Sequence, residues 1–135
     1  MLGEAEFRRY VAAFNAGDTA GYGGFYAPGV QFRNGAGAEL EGAEAIIAYY
    51  EAFKQRIGRV MEVRGVVAGE NALCAALASC FEILSDSENF AGEELRRGDR
   101  VMIESLALYE LAGSKFARIA TQTLSRRILR AGEAE

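Results

Sequence analysis

The chain has 135 residues, half of them hydrophobic and a quarter charged, which suits one globular domain with its own core and leaves no room for a second. It contains no histidine, so Ser-His and Cys-His nucleophiles and His-ligated metal centres are excluded, and any chemistry falls to Asp, Glu, Tyr, Lys, Arg, Cys and hydroxyls. The net charge is −4, and Arg126, Arg127 and Arg130 form only a small cluster near the C-terminus, which argues against nucleic acid as a partner.

From Glu4 to Asn15, Phe7, Tyr10, Val11 and Phe14 recur at helical spacing, which predicts an amphipathic helix. Asp18 reads as the N-cap of a second helix running to Tyr26, rich in glycine and closed before Pro28. A short strand is predicted at Val30–Arg33, followed by the turn residues Asn34 to Gly37. A third helix is predicted from Gly42 to Ile57, with Ile46, Ile47, Tyr49, Tyr50 and Phe53 making a stripe broad enough to cross a sheet.

Beyond Gly58 the apolar period changes to two, giving strands at 59–68, 72–84, 100–111 and 116–129. Ser85 to Gly98 reads as a polar loop containing Phe90, and Asp99 with Arg100 reads as a solvated strand end. The expected class is α+β: three N-terminal helices packed on a curved antiparallel sheet, with a cone-shaped cavity between them. In the strand over 100–111, Met102, Glu104, Leu106 and Leu108 share one face, and Val101, Ile103, Ser105, Ala107 and Tyr109 share the other. Both faces are apolar while helices cover only one, so a homodimer through the outer sheet face is expected, with a monomer that hides that face as the alternative.

Cys74 and Cys80 lie on one predicted strand, about 20 Å apart along it, too far to bridge. Residues 1–10 hold no apolar leader core, and no uncharged apolar stretch approaches about 18 residues. These features predict a cytoplasmic protein with no membrane partner.

The run Arg9-Tyr10-Val11-Ala12-Ala13-Phe14-Asn15-Ala16-Gly17-Asp18 resembles the opening helix of the nuclear-transport-factor-2-like superfamily, and within it the ketosteroid isomerases and SnoaL-like polyketide cyclases. Gly42 with Ile46, and the hairpin Leu111-Ala112-Gly113-Ser114-Lys115, extend the resemblance over nearly the whole chain. It implies that Tyr10 stands where the isomerases carry an oxyanion-hole tyrosine, and that Tyr26 and Tyr50 stand where some members carry tyrosines bonded to it. It also places Glu104 at the second oxyanion donor, normally a protonated aspartic acid, for which the isomerase is a standard case of a carboxylic acid held neutral.

The residues themselves single out Glu104, because a carboxylate among Met102, Leu106 and Leu108 is desolvated unless neutralised or paired. Beside Tyr10, a protonated Glu104 would give two donors to one oxyanion. The alternatives are a pair with an arginine such as Arg118, or a register that turns Glu104 to solvent. The tyrosines likewise read either as site or as core.

The general-base aspartate of the isomerases is replaced by Asn34, and an amide cannot accept a substrate proton at neutral pH. Asn34 can instead hold a water or a carbonyl, a role resembling that of an asparagine in the limonene epoxide hydrolases. The Asp-Arg-Asp set of those enzymes is missing, since the strands offer Leu77, Ser79 and Phe81, or Ala78, Cys80 and Glu82, with Thr121 and Thr123 on the last strand.

The expected function is therefore binding of an apolar small molecule, with isomerase- or cyclase-type stabilisation of an enolate or oxyanion by Tyr10 and Glu104 and with no cofactor or metal. Asn34, Tyr26, Tyr50, Phe32, Met102, Leu106, Ile119 and Thr121 are the expected binding residues. A non-catalytic binder and a dimeric interaction protein are the alternatives.

Overall fold

Phe7, Tyr10 and Val11 form the buried face of α1 (Glu4–Asn15) in the computed structural model, which describes residues 2–86, 88–90 and 92–132. The Asp18 carboxylate accepts the Gly21 N–H at 3.0 Å and caps α2 (Thr19–Gly23), a single turn that stops short of the expected Tyr26. The chain is pulled into extended form there because the Phe116 N–H donates to the Phe25 carbonyl at 2.7 Å, and Tyr26 already belongs to β1 (Tyr26–Arg33). Pro28 and Gly29 lie where the pairing of β1 slips between Tyr26 and Gln31, an irregularity that accommodates the missing proline N–H and the positive φ of Gly29.

A short β2 (Glu39–Glu41), absent from the sequence reading, folds back on β1. Gly42, at φ 88°, donates its N–H to the Val30 carbonyl at 2.8 Å and so launches α3 (Ala43–Phe53) across the sheet. The helix ends at Phe53 because Ile57 opens β3 (Ile57–Ala68). Next come β4 (Ala72–Ile83), the hairpin β5 (Glu88–Phe90) and β6 (Glu93–Leu95) inside the expected loop, and then β7 (Arg100–Ala112) and β8 (Lys115–Leu129).

The main sheet has the order β2-β1-β8-β7-β4-β3. It is mixed, which corrects the antiparallel expectation: β1 and β8 run parallel, as the long intervening chain permits. The α+β class stands, although β1 and β2 come before α3. On edge strand β3, Asn15 imitates a neighbouring strand, donating to the Met61 carbonyl and accepting the Met61 N–H, each at 2.9 Å. This clamp fixes α1 over the sheet.

Inward positions of β4 carry Leu73, Leu77, Phe81 and Ile83, whereas outward positions carry Ala72, Cys74, Ala76, Ala78 and Cys80. Register transmits that phase to β7, where Leu77 faces Ser105 and Ala78 faces Glu104. Asp99 is a second correction, being only 4% exposed. It accepts the N–H groups of Arg96 and Ala131, each at 2.9 Å, and an Arg130 N–H at 3.2 Å. Those donors, the Arg96 N–H foremost, hold its carboxyl below the usual aspartate range. Among the described residues no helix is long and apolar enough to cross a membrane.

Candidate functional site

The inner face of the sheet has two ends. At one, α1 presses Phe7 and Tyr10 onto Tyr109 and Phe116, with ring centroids 4.9 Å apart for Phe7–Tyr109 and for Tyr10–Phe116. The Tyr10 hydroxyl lies 2.8 Å from that of Tyr26, so the two satisfy each other. Burial pushes both hydroxyls, and that of Tyr109, well above the usual phenol range. Tyr10 borders a void of about 40 Å³ along with Phe32, Ile119 and Thr121. That is water-sized space, well short of the roughly 150 Å³ that accommodates a benzene ring.

At the other end, α3 and the β5–β6 hairpin arch over β3, β4, β7 and β8 and enclose a cavity of about 250 Å³. Its apolar wall includes Tyr49, Phe53, Phe81, Phe90 and Ile103. Phe90 closes the wall by packing on Phe81 and Phe53, with centroids at 4.9 and 5.9 Å. Its polar wall includes Asn34, Tyr50, Arg59, Ser79, Ser105 and Thr123. Gly35 shapes the rim, because a Cβ there would lie 2.6 Å from the Thr123 hydroxyl oxygen.

Arg59 occupies the inward phase of β3 between Ile57 and Met61, opposite Phe81. Its guanidinium carbon lies 4.9, 5.6 and 5.9 Å from the ring centres of Phe81, Phe14 and Tyr50. One terminal N–H donates to the Ser79 hydroxyl at 3.3 Å, while the buried Nε has no hydrogen-bond partner among the described residues. The charge is thus held by aromatic faces. Beside it, burial raises the Tyr50 hydroxyl, and the adjacent Arg59 and Asn34 partly offset the rise.

The Asn34 side-chain oxygen accepts the N–H groups of Ala36 and Ala38, each at 3.0 Å, and so fixes the turn after β1. These two donors also settle which end of the amide is oxygen. The NH2 end is what reaches the cavity, 3.4 Å from the Tyr49 hydroxyl. Asn34 is therefore a donor to the cavity and supplies no base.

Of the residues expected from sequence, Asn34, Tyr50 and Thr121 line this cavity. Tyr10, Phe32 and Ile119 line the narrow void behind it, and Tyr26 is closed off by its bond to Tyr10. The expected pairing of Tyr10 with Glu104 is overturned. Glu104 is exposed on the outer face, in register with Ala78 and Ser125, and Met102 and Leu106 share that face. The phase was misjudged because both faces of β7 are apolar. Of its two open alternatives, the turn to solvent is the one realised, since Arg118 pairs with Glu110 at 3.0 Å.

Arg59, Ser79, Ser105 and Phe90 were missed as site residues. The available signal was a lone arginine in the inward phase Ile57-x-Arg59-x-Met61-x-Val63.

Solved structures share this fold. A putative polyketide cyclase from Silicibacter superposes with a TM-score of 0.71 at 21% identity, covering 87% of this chain and 85% of that one. A hypothetical protein of ketosteroid isomerase-like fold from Catenulispora acidiphila, in complex with trimethylamine, gives 0.71 at 12% identity over 90% and 85%. An epoxide hydrolase of the LEH-like type from M. tuberculosis gives 0.70 at 10% identity over 87% and 79%. No curated protein matches the chain. The model of the SnoaL-like domain matches residues 7–119, and the chain belongs to that family.

Proposed function

We propose that this protein binds a small, largely apolar organic molecule in the cavity beneath α3. The observation that carries the reading is the cavity itself: about 250 Å³, walled by aromatic and aliphatic side chains on one side and by hydrogen-bond donors on the other. The test is fluorescence titration with 2-naphthol, comparing the native chain with Ile103→Trp, which fills the cavity from β7. Saturable binding that the substitution abolishes is expected, with cooperative unfolding of both proteins as the folding control. Binding that ignores Ile103→Trp would place the ligand elsewhere.

A second reading is isomerase- or cyclase-type catalysis without a cofactor, favoured by the donors gathered around Tyr50. Asn34, Arg59 and the Tyr50 hydroxyl can converge on a carbonyl oxygen as it gains charge. No carboxylate lines the cavity among the described residues, so the proton would have to move within the substrate or through water. Turnover of an enolisable ketone, lost in Arg59→Met, is the outcome this reading requires.

Pairing of two copies through the outer sheet face belongs to the same proposal. Val60, Leu106 and Leu108 are 61%, 41% and 44% exposed on it, an area that a second copy of the same face would cover. Light scattering is expected to give a dimer for the native chain and a monomer for Leu106→Asp. A cytoplasmic setting accords with the two free cysteines, Cys74 and Cys80.

A further inference from the structure

We infer that the molecule this cavity takes is an organic anion, an aromatic or alicyclic carboxylate, whose acid group is held by Arg59. The inference rests on the cavity being a ligand site and adds the charge and chemical class of what enters it.

The first support is the charge of the cavity lining. The chain has 19 acidic and 15 basic residues, yet the described cavity lining contains Arg59 and Arg126 and no carboxylate. Arg126 is exposed at the rim, so the charge inside the cavity is that of Arg59, and the apolar walls around it concentrate its field on whatever enters.

The second support is how Arg59 is satisfied. It forms no ion pair among the described residues, its hydrogen-bonding neighbours are the neutral hydroxyls of Ser79 and Tyr50, and its Nε–H is buried without an acceptor. Aromatic rings lie 4.9 and 5.6 Å from the guanidinium carbon, and the guanidinium borders the cavity, where its terminal N–H groups can meet an oxygen-bearing group. Among the described residues, Glu51 borders a neighbouring space of about 90 Å³ that Arg59 also lines, and Glu51 is already engaged by Lys54. Guanidinium and carboxylate form the stronger class of hydrogen bond, so a carboxylate meets this unfilled capacity better than a neutral carbonyl does.

The third support is shape. Tyr49, Phe53, Phe81, Phe90 and Ile103 surround the rest of the space, so one end of the ligand is an acid and the other a ring. The remaining polar neighbours, the Asn34 amide hydrogens and the Ser79 and Ser105 hydroxyls, can all donate to an anion.

The test uses 2-naphthoate and 2-naphthamide, nearly equal in size and differing in charge, with the native chain, Arg59→Met, Arg59→Lys and Ile103→Trp. Naphthoate is expected to bind the native chain at least about tenfold more tightly than naphthamide. Arg59→Met should remove that preference by weakening naphthoate far more than naphthamide, and Arg59→Lys should restore part of it. Melting curves report whether each variant folds, and Arg59→Lys keeps the test open if Arg59→Met does not. Equal affinity for the two probes, or an unchanged preference in Arg59→Met, overturns the inference and leaves the cavity reading intact. If neither probe binds, or if both ignore Ile103→Trp, the cavity reading falls and takes the inference with it.

Discussion

Tyr10 and Tyr50 are both buried tyrosines on helices laid over the same face of one sheet, and their surroundings give them opposite roles. Tyr10 spends its hydroxyl on Tyr26 and packs its ring against Phe25, Tyr109 and Phe116, so nothing polar is left to meet a ligand. Tyr50 stands at the junction of three voids, with Arg59 and Asn34 beside its hydroxyl. Burial is common to both. What separates core from site is whether the neighbouring donors and acceptors already satisfy one another.

The sharpest way to break this comparison is to empty the closed end. Phe116 is fully buried among four aromatic rings, and Phe116→Ala is expected to cost about 3–5 kcal/mol in denaturant unfolding. Affinity for 2-naphthoate, measured on the folded fraction, should change little because Phe116 does not border the larger cavity. A large loss of affinity at unchanged stability would mean that the two ends are not separate.

A substitution at the open end should show the reverse pattern. In Asn34→Asp one carboxylate oxygen can still accept from Ala36 and Ala38, so the turn keeps its hydrogen bonds. The other oxygen then replaces the amide donor that faces the cavity, putting a negative charge near Arg59. Naphthoate affinity is expected to fall about tenfold, ~1.4 kcal/mol, with naphthamide much less affected. A uniform loss for both probes would point to a collapsed turn rather than to charge.

Tyr10→Phe is the matching change at the closed end. It leaves the Tyr26 hydroxyl without its partner, and a loss of about 1 kcal/mol in stability is expected with no change in probe binding. Weakened naphthoate binding in a fully folded Tyr10→Phe would return Tyr10 to the site.

Most of the architecture was legible because it rests on periodicity. The helix over Glu4–Asn15 and the four long strands were recovered nearly to the residue, since each carries enough apolar residues at a period of 3.6 or two, even where β3, β7 and β8 shift register. The second helix and β1 were not, because the Phe116 pairing that holds Phe25 and Tyr26 extended lies some 90 residues away in sequence. The site was half legible for a related reason. Period two says which residues share a face and not which face looks inward. On β7 both sets are apolar, and the deciding signal lay on β4, where bulky Leu73, Leu77 and Phe81 alternate with small Cys74, Ala76 and Ala78. The bulky set fills the space beneath the helices, and register then sends Ser105 inward and Glu104 outward. The same phase makes Arg59 an inward residue.

Glu104 gives the smallest expected effect and the cleanest check on that phase. An exposed carboxylate between Ala78 and Ser125 has no buried partner to lose, so Glu104→Gln should alter monomer stability by less than about 0.5 kcal/mol. Naphthoate binding should be unchanged, because the sheet itself stands between Glu104 and the cavity. If two copies meet through the outer face, Glu104 lies within their contact, and removing its charge strengthens the dimer by taking a carboxylate out of a surface that includes Leu106 and Leu108. Light scattering across a dilution series, run beside the binding titration, separates the two faces. Constant ligand affinity is the result this structure requires, a shift in dimer dissociation is the result the proposed pairing requires, and a loss of ligand affinity would put Glu104 back on the inner face.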